Sequence, residues 1–371
     1  MSAKLFATKS SMLNPLQKVS LLSVVRRSLQ ILKQRSARVF SLLFAVGFGL
    51  SLVISACSPA TTNSTTSTTA SPASSTQAAT VRIGYQKSST VLNYLRSKGD
   101  LDKALSAVRA EAKWTEFPAG PPMLEAMNAG AIDFGFTGET PPVIAQAAGT
   151  PLVYIAYDAS NPQAEAIVVH KDSPMKSVAD LKGKKVAFAK GSNTNYLVVK
   201  ALESAGLKYT DIQPAFLAPA DARAAFENHS VDAWAIWDPY LAVAEEKAGA
   251  RILVDAAGLA PNRSYYSAGR PFIESRPDLL KVVVEQVKQA DAWIAKNPVE
   301  VAKFLSPVMG IDAAIIEKAE RRRKYGVLPL TDEAIDGQQE IADTFQILGL
   351  IPKQINVKAA VWTGTQETAK Q

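Results

Sequence analysis

Small polar residues follow apolar runs at four places in this 371-residue chain, and a helical pattern begins at each of them. Ser, Thr, Asn and Asp are preferred helix N-caps, and Pro is tolerated in the first helical turn. The first turn also presents unpaired N–H groups and a partial positive charge. The four junctions are Gln86-Lys87-Ser88-Ser89-Thr90, Gly138-Glu139-Thr140-Pro141-Pro142, Gly191-Ser192-Asn193-Thr194 and Trp237-Asp238-Pro239. If they converge, they form an anion site that needs no Arg or Lys, although each one alone is also an ordinary helix cap.

The elements that position these junctions alternate between short apolar runs and helical patterns. Ten runs predict strands, namely 81–85, 113–117, 132–137, 152–158, 165–170, 185–190, 213–217, 231–237, 251–255 and 264–268. Helical patterns such as 193–205 and 221–228 lie between most of them, which predicts an α/β fold with largely parallel sheets. The chain then becomes mostly helical, over 277–297, 298–305, 312–325 and 332–348. We therefore expect a helical C-terminal cap.

One motif occurs twice ahead of an apolar run. Residues 128–135 read NAGAIDFG, and residues 228–234 read NHSVDAW. In each motif a helix ends and a turn leads to an acidic residue, Asp133 or Asp232. Two lobes built on similar plans would produce this repetition, and so would chance.

Residue types that carry catalysis are scarce. The chain has one cysteine, Cys57, and two histidines, His170 and His229. A single cysteine allows neither an intramolecular disulfide nor a Cys-based zinc site, and the histidines lack His-x-x-x-His spacing. There is no GxxxxGK[ST] phosphate loop and no G-x-S-x-G nucleophile elbow. The sequence therefore argues against ATP hydrolysis, a metal centre and any cofactor-dependent reaction.

The positive charge is concentrated at the N-terminus. The chain carries a formal net charge of +7, but its first 56 residues hold eight Lys and Arg and no acid. From Cys57 onward, 33 basic residues face 34 acidic ones. Net charge thus gives no support for nucleic-acid binding by the folded part. The run Arg321-Arg322-Arg323-Lys324 is interpreted as the solvated face of a helix, with a patch for docking a partner as the alternative.

The N-terminal segment has the order of an export signal. Arg35 and Arg38 precede 18 uncharged residues, 39–56, and Ile54-Ser55-Ala56-Cys57 resembles a bacterial lipobox. We interpret 1–56 as a signal peptide and Cys57 as the lipidated residue. The alternatives are an ordinary signal peptide and an uncleaved membrane anchor, because 18 residues is close to the shortest span.

A Ser/Thr-rich tether follows the lipobox. Residues 58–80 contain 14 Ser or Thr among 23 residues, and none of them is charged. Such a segment buries too little apolar surface to fold. As a flexible chain it spans about 25 Å, from roughly 5–6 Å times the square root of its length. The tether is therefore assigned to 57–80, and the folded body begins at 81.

The junctions and their surroundings resemble a known family. The matching strings are VRIGYQKSSTVLNYL, TGETPPV, KGKKVAFAKGSN and DARAAFENHSVDAWAIWDPYLA. They are similar to the periplasmic aliphatic sulfonate-binding proteins of ABC transporters, and the resemblance covers residues 81–362. Relatives with relaxed versions of these strings bind taurine, nitrate, bicarbonate or a thiamine pyrimidine precursor.

The resemblance implies a type II periplasmic binding protein-like fold with two α/β lobes that close on a ligand. Lobe one would comprise 81–164 and 258–371, and lobe two would comprise 165–257, with crossings near Glu165-Ala166 and Ala256-Gly258. The implied partners are an alkanesulfonate, an ABC permease and its ATPase. The protein would be a monomer, lipid-anchored on the periplasmic side of the inner membrane.

The resemblance and the junctions together place the sulfonate head among helix N-termini from both lobes. Trp237 would lie against the alkyl tail, and Asp238 would turn onto its own helix. Glu139 would face away or pair with an amine on the ligand. The complete set of expected ligand-binding residues is Gln86, Ser88, Thr90, Gly138, Glu139, Thr140, Gly191, Ser192, Asn193, Trp237 and Asp238. In it Gly138 and Gly191 would let backbone N–H groups reach the sulfonate oxygens.

Two alternative functions remain open from the sequence alone. The first is the same fold with another ligand, such as taurine, nitrate, bicarbonate or a hydroxymethylpyrimidine. The second is an enzyme on the bilobed fold that uses Glu139 as a base. The scarcity of His, Cys and metal ligands argues against the enzyme.

Overall fold

The computed structural model of the protein describes residues 78–364. The expected signal peptide, Cys57 and the tether up to residue 77 lie outside the described residues. The first strand begins at Ala79, so the folded chain starts two residues earlier than the sequence predicted.

Eleven strands and twelve α-helices make up the described part of the chain. The strands are β1 (Ala79–Tyr85), β2 (Ala110–Glu116), β3 (Phe134–Gly138), β4 (Leu152–Asp158), β5 (Glu165–His170), β6 (Lys185–Phe188), β7 (Gln213–Phe216), β8 (Ala233–Trp237), β9 (Ala250–Asp255), β10 (Ser264–Gly269) and β11 (Val327–Leu328). The helices are α1 (Thr90–Lys98), α2 (Asp100–Ala107), α3 (Gly120–Asn128), α4 (Thr140–Ala147), α5 (Asn193–Ser204), α6 (Pro219–Glu227), α7 (Tyr240–Lys247), α8 (Arg270–Ser275), α9 (Pro277–Ile294), α10 (Pro298–Met309), α11 (Ala313–Arg321) and α12 (Asp332–Ile347).

The strands form two sheets, one in each lobe. The first sheet has the order β11-β4-β10-β3-β1-β2, and the second has the order β7-β6-β8-β5-β9. In the first sheet β10 runs antiparallel to both of its neighbours, and in the second sheet β5 does the same. Apart from these two strands and the short β11, the strands of each sheet point in one direction. The α/β fold expected from the sequence is confirmed, with one antiparallel strand inserted in each sheet.

The chain crosses between the lobes twice. The first crossing, 159–164, joins β4 to β5, and the second, 256–263, joins β9 to β10. Glu165 already pairs with Trp237 in the second sheet, so the first crossing ends just before the expected position. The crossings are bonded to each other, because Asn161 N–H donates to the carbonyl of Pro261 at 3.2 Å and Asn262 Nδ2 donates to the carbonyl of Asn161 at 2.8 Å.

Burial explains why the central strands appear in the sequence as continuous apolar runs. All seven residues of β4 and all five of β8 are buried, since helices cover both faces of each sheet. On the first lobe the cap helix α9 contributes Trp293, whose ring stacks on Tyr94 of α1 at 4.9 Å. The helical C-terminal cap expected from the sequence is therefore present.

Two elements differ from the sequence expectation. The two-residue strand β11 was missed because it is too short to show any periodicity. The helix predicted over 312–325 ends at Arg321, and residues 322–325 continue without helical structure. We call residues 322–325 the cleft arm. Gly326 follows the cleft arm with a φ of 144°, a backbone conformation that residues other than glycine rarely adopt.

The repeated motif marks equivalent positions in the two lobes. Asp133 precedes β3 and accepts a hydrogen bond from Arg82 N–H of β1 at 2.8 Å. Asp232 precedes β8 and accepts one from Lys185 N–H of β6, also at 2.8 Å. β3 and β8 occupy the same place in their sheets, beside the inserted antiparallel strand. Each aspartate thus fixes the start of one strand to its neighbour, and the repetition reflects a shared lobe plan.

No helix within residues 78–364 is both long enough and apolar enough to cross a membrane.

We expect Asp133→Asn to destabilise the protein more than Asp232→Asn. Asp133 is buried and also forms an ion pair with the Arg82 guanidinium, whereas the Asp232 bond lies at an exposed position. Losing buried hydrogen bonds to a charged group costs about 1.5–3 kcal/mol, whereas the exposed Asp232 bond competes with water and contributes less. Urea unfolding of both variants measures the difference. Equal losses would show that burial does not distinguish the two aspartates.

Candidate functional site

A cavity lies between the lobes, at the carboxyl ends of β1, β3 and β8. It offers about 40 Å³ of free volume, enough for a few water-sized groups. Its lining residues come from both lobes, both crossings and the cleft arm. They are Gln86, Ser88, Gly120, Phe136, Gly138, Pro141, Asn161, Ala164, Ser192, Asn193, Trp237, Asp238, Asn262, Ser264 and Arg323. This is the place where open α/β sheets bind ligands.

The structure brings seven of the eleven expected residues to this cavity. They are Gln86, Ser88, Gly138, Ser192, Asn193, Trp237 and Asp238. Thr90, Glu139, Thr140 and Gly191 lie nearby without lining it. The Thr90 hydroxyl, for example, is buried and donates to Glu320 Oε1 at 2.7 Å. Three of the four junctions therefore present polar side chains to the cavity, while the second junction presents only Gly138 and Pro141.

Arg323 supplies a positive charge that the sequence interpretation missed. Its Nη1 donates to the carbonyl of Ser88 at 2.8 Å and to Thr90 Oγ1 at 3.0 Å. Those bonds hold the guanidinium against the start of α1, at the cavity wall. The expectation that the basic run is a solvated helix face is wrong for Arg323. The cleft arm leaves the helix there, and the signal that could have found it is the RRRK run itself.

The N-terminus of α5 faces the cavity with backbone rather than hydroxyl donors. The Ser192 hydroxyl donates to the carbonyl of Ala189 at 2.7 Å, so its proton is already used within the loop. Asn193 Nδ2 donates to Glu165 Oε2 and to Asn262 Oδ1, both at 3.0 Å. What remains at this end of α5 is the partial positive charge of the first helical turn.

Gly138 and Gly191 permit a close approach of the two lobes. A Cβ on Gly138 would lie 2.5 Å from Asn193 Oδ1, and one on Gly191 would lie 2.7 Å from Ile144 Cδ1. Gly191 also has a φ of 72°, in the left-handed region. Both glycines were expected to let backbone N–H groups reach the sulfonate oxygens, which stays a prediction. In the structure their missing side chains make room for residues of the opposite lobe.

The N-terminus of α4 is a weaker donor than its cap pattern indicated. Pro141 and Pro142 occupy its first turn, and proline has no N–H group. The Thr140 side chain is fully buried, and its hydroxyl has no hydrogen-bond partner among the described residues.

Asp238 lines the cavity but is turned onto its own helix, as its position before α7 predicted. Its Oδ1 accepts the N–H of Ala242 at 3.0 Å, and Arg322 Nη1 lies 3.4 Å from both of its oxygens. Burial raises the pKa of Asp238 to about 7, against the opposing effect of the Arg322 charge. Arg322 also pairs with Glu245, so the cleft arm joins lobe one to α7 of lobe two.

Glu139 and Glu165 are carboxyl groups buried beside the crossings. Glu139 Oε2 accepts the N–H of Arg263 at 2.9 Å, and Glu165 accepts the Asn193 amide. The remaining oxygen of each has no partner among the described residues. Burial raises the pKa of Glu139 to about 7 and that of Glu165 well above its ordinary value. Neither lines the cavity, so their geometry fits the hinge region better than contact with a ligand.

Apolar groups form the rest of the wall. Trp237, at the end of β8, is 8% exposed and meets Tyr240 edge to face at 6.5 Å. Phe136 and Pro141 lie on the lobe-one side. Among residues 78–364, no three His, Cys, Asp or Glu side chains are grouped so that they could hold a metal ion.

These features define a class of protein. Two α/β lobes joined by two crossings border a small cavity lined by the Arg323 guanidinium, helix N-termini and aromatic groups. That is the architecture of a bilobed periplasmic binding protein.

Comparisons with known proteins agree with this class and narrow it. The NMT1/THI5-like family model matches residues 118–301. The aliphatic sulfonate-binding protein of Escherichia coli K12 is 44% identical over 78% of this chain and 91% of its own length. The crystal structure of the periplasmic aliphatic sulphonate-binding protein SsuA from E. coli superposes with a TM-score of 0.70 at 43% identity, covering 76% of this chain and 97% of that one. The alkanesulfonate-binding protein SsuA from Xanthomonas axonopodis pv. citri, bound to MOPS, gives 0.73 at 38% identity, covering 76% and 98%.

The chain belongs to the family of aliphatic sulfonate-binding proteins. The resemblance seen in the sequence is thereby confirmed, as is the type II bilobed fold.

We expect Glu139→Gln to reduce the pH dependence of stability. The folded-state pKa of about 7 lies above the ordinary value of 4.5, so Glu139 favours the folded state below pH 4.5 and loses that contribution as the pH rises through 7. The shift corresponds to at most about 3 kcal/mol. The amide mimics the neutral acid and does not titrate.

Thermal unfolding between pH 5 and pH 8 measures this effect. The variant should lose less stability than the parent over that range, because one buried acid no longer ionises. Glu274→Gln, at an exposed position of α8, serves as the control and should follow the parent. Identical pH profiles for Glu139→Gln and the parent would contradict a neutral Glu139.

Proposed function

We propose that this protein captures an aliphatic sulfonate between its lobes and delivers it to an ABC permease. The observation that carries the proposal is Arg323 at the wall of a cavity that the N-terminus of α5 also lines. Membership of the sulfonate-binding family gives independent support. The relatives named above are binding proteins, and we infer that this chain likewise binds its ligand without transforming it.

The donor chemistry of the cavity suits a sulfonate. A sulfonate is fully ionised at neutral pH and only accepts hydrogen bonds, so its partners must donate. Arg323 has five N–H donors, and the bonds to Ser88 and Thr90 use only its Nη1 group. The hydroxyls of Ser88 and Ser264 and the first turn of α5 add further donors. Asp238 does not oppose this arrangement, because Arg322 and the Ala242 N–H bind its oxygens.

The lining of the cavity offers different places for the head group and for the alkyl tail of a sulfonate. The sulfonate oxygens would lie in the roughly 40 Å³ of free space beside Arg323 and the first turn of α5. The alkyl carbons would lie along Trp237 and Phe136, where burial contributes about 0.8 kcal/mol per CH₂ group. Charge therefore selects the head group, and apolar contact adds affinity for the tail.

Contacts between the lobes favour the closed form in which the ligand is held. Lys318 of α11 pairs with Glu246 of α7 at 2.7 Å. Beside this pair, Ile315 packs against Val243 across the same boundary. Exposed ion pairs contribute only about 0–1 kcal/mol each, so these contacts leave room for ligand binding to shift the balance between open and closed forms.

The protein would act outside the cytoplasmic membrane, held by a lipid on Cys57. Support for export comes from the order of basic residues, apolar run and lipobox, and from the periplasmic relatives. The Ser/Thr-rich tether would let the body reach a permease in the same membrane.

We expect Arg323→Gln to weaken alkanesulfonate binding by about 10- to 150-fold. Losing a hydrogen bond to a charged partner costs about 1.5–3 kcal/mol, and each 1.4 kcal/mol is a factor of ten in Kd. Isothermal titration calorimetry with pentanesulfonate measures the change. Arg321→Gln is the matched control, because Arg321 is exposed and pairs with Glu317 on its own helix. An Arg323→Gln affinity within twofold of the Arg321→Gln affinity would place the anion elsewhere.

We expect Cys57→Ser to release the protein from membranes. Without the thiol no lipid can be attached, and the described body contains no helix that could span a bilayer. Fractionation of cells that express parent or variant, followed by carbonate washing, measures the distribution. A variant that stays with the membrane as fully as the parent would rule out the lipid anchor.

A further inference from the structure

Arg323 borders two spaces rather than one. On one side its guanidinium lines the cavity between the lobes. On the other side it closes a smaller void, which Asp158, Tyr266 and the start of α1 also line. The same positive charge therefore faces both the proposed ligand and the interior of lobe one.

Three buried carboxyl groups surround the interior side of Arg323, and we call them the acid cluster. They are Asp158 at the end of β4, Asp291 of α9 and Glu320 of α11, each at most 5% exposed. Within residues 78–364, Arg323 is the only cation whose charge opposes the rise in pKa of all three. Glu320 is connected to it through Thr90, whose hydroxyl donates to Glu320 and accepts from Arg323.

The acid cluster is short of donors and of positive charge. Asp158 Oδ1, Asp291 Oδ1 and Glu320 Oε2 are buried and have no hydrogen-bond partner among the described residues. One guanidinium cannot neutralise three ionised carboxylates, and an unpaired buried charge is costly. Burial accordingly raises the pKa of all three groups, that of Asp158 to about 7. Asp158 can therefore exchange a proton near neutral pH, and the other two acids share its buried surroundings.

We propose that capture of an anion beside Arg323 draws a proton from solvent onto the acid cluster. The proposal rests on the proposed function, in which the anion pairs with this guanidinium. An anion in the cavity adds a negative charge next to the cluster and competes for its only shared cation, so the neutral carboxyl form becomes more favourable. No covalent bond changes, and the sulfonate stays ionised. By linkage, protons and anion strengthen each other's binding.

The neighbouring titratable groups limit where the proton can go. Arg323, Asp291 and Tyr266 face Asp158, and burial raises the pKa of Tyr266 well above its ordinary value, so it stays neutral. Asp238 is the carboxyl group on the cavity side. Its own partner is Arg322, and Glu245 also faces it. It is the competing acceptor that the experiment must separate from the acid cluster.

Calorimetry in two buffers tests the coupling on the parent protein. Pentanesulfonate has no group that titrates near pH 7, so any proton exchanged belongs to the protein. Titrations at pH 7.5 in phosphate and in Tris, which differ in ionisation enthalpy, give the number of protons taken up per anion. We expect a value between zero and one, and a Kd that rises about three- to tenfold from pH 6.5 to 8.5. Anion binding with no proton uptake and a constant Kd would overturn the proposal.

Two variants locate the proton. Asp158→Asn and Glu320→Gln each remove one negative charge, which lowers the pKa of the remaining acids, so both should reduce the uptake and flatten the pH profile. Glu317→Gln, at the surface of the same helix as Glu320, should behave like the parent. Undiminished uptake in both cluster variants would assign the proton to another group, such as Asp238, and the acid cluster would be ruled out. Absence of any sulfonate binding would instead contradict the proposed function and remove this proposal with it.

Discussion

The hydrogen bonds between the Asn161 side chain and the backbone of Lys324 fix the position on which the site depends. Asn161 Oδ1 accepts the N–H of Lys324, and its Nδ2 donates to the Lys324 carbonyl. Asn161 belongs to the first crossing, so the cleft arm is attached where the lobes meet. The two residues before Lys324 then reach opposite partners, Arg322 towards Asp238 and Arg323 towards Ser88. The cation of the cavity is thus placed by the hinge, and the same attachment brings Arg322 to lobe two.

This long-range attachment explains which part of the site the sequence could predict. The strands were found because each is a short apolar run between turn residues, and their carboxyl ends converge in any such sheet. Gln86, Ser88, Trp237 and Asp238 followed directly from strand ends. Arg323 could not be found this way, because the helical pattern of α11 continues through it. Its position is set through the next residue, Lys324, which binds Asn161, 163 positions away in the chain.

The second junction shows why a cap pattern does not determine chemistry. Its Thr-Pro-Pro sequence starts α4 as the pattern predicts, yet the two prolines leave few N–H groups for a ligand. The glycines were likewise identified as special positions, and the structure shows which protein groups need the space there. A side chain at Gly138 would meet Asn193, and one at Gly191 would meet Ile144. A glycine in the sequence indicates a close approach without naming the group that approaches, and here that group is the opposite lobe.

Carboxylates close to an anion site would repel the anion. In this chain other residues bind those carboxyl groups and direct them away from the ligand. Arg322 faces Asp238 beside the cavity and opposes the rise in its pKa, and Glu139 is directed away onto the backbone of Arg263. Arg323 differs from these cations in having no carboxylate within ion-pair distance among the described residues. Its guanidinium is held by a carbonyl and a hydroxyl, which orient it without neutralising it. A cation oriented in this way keeps its full charge for an incoming anion. The acid cluster on its interior side, rather than the residues that line the cavity, determines how strongly the guanidinium attracts that anion.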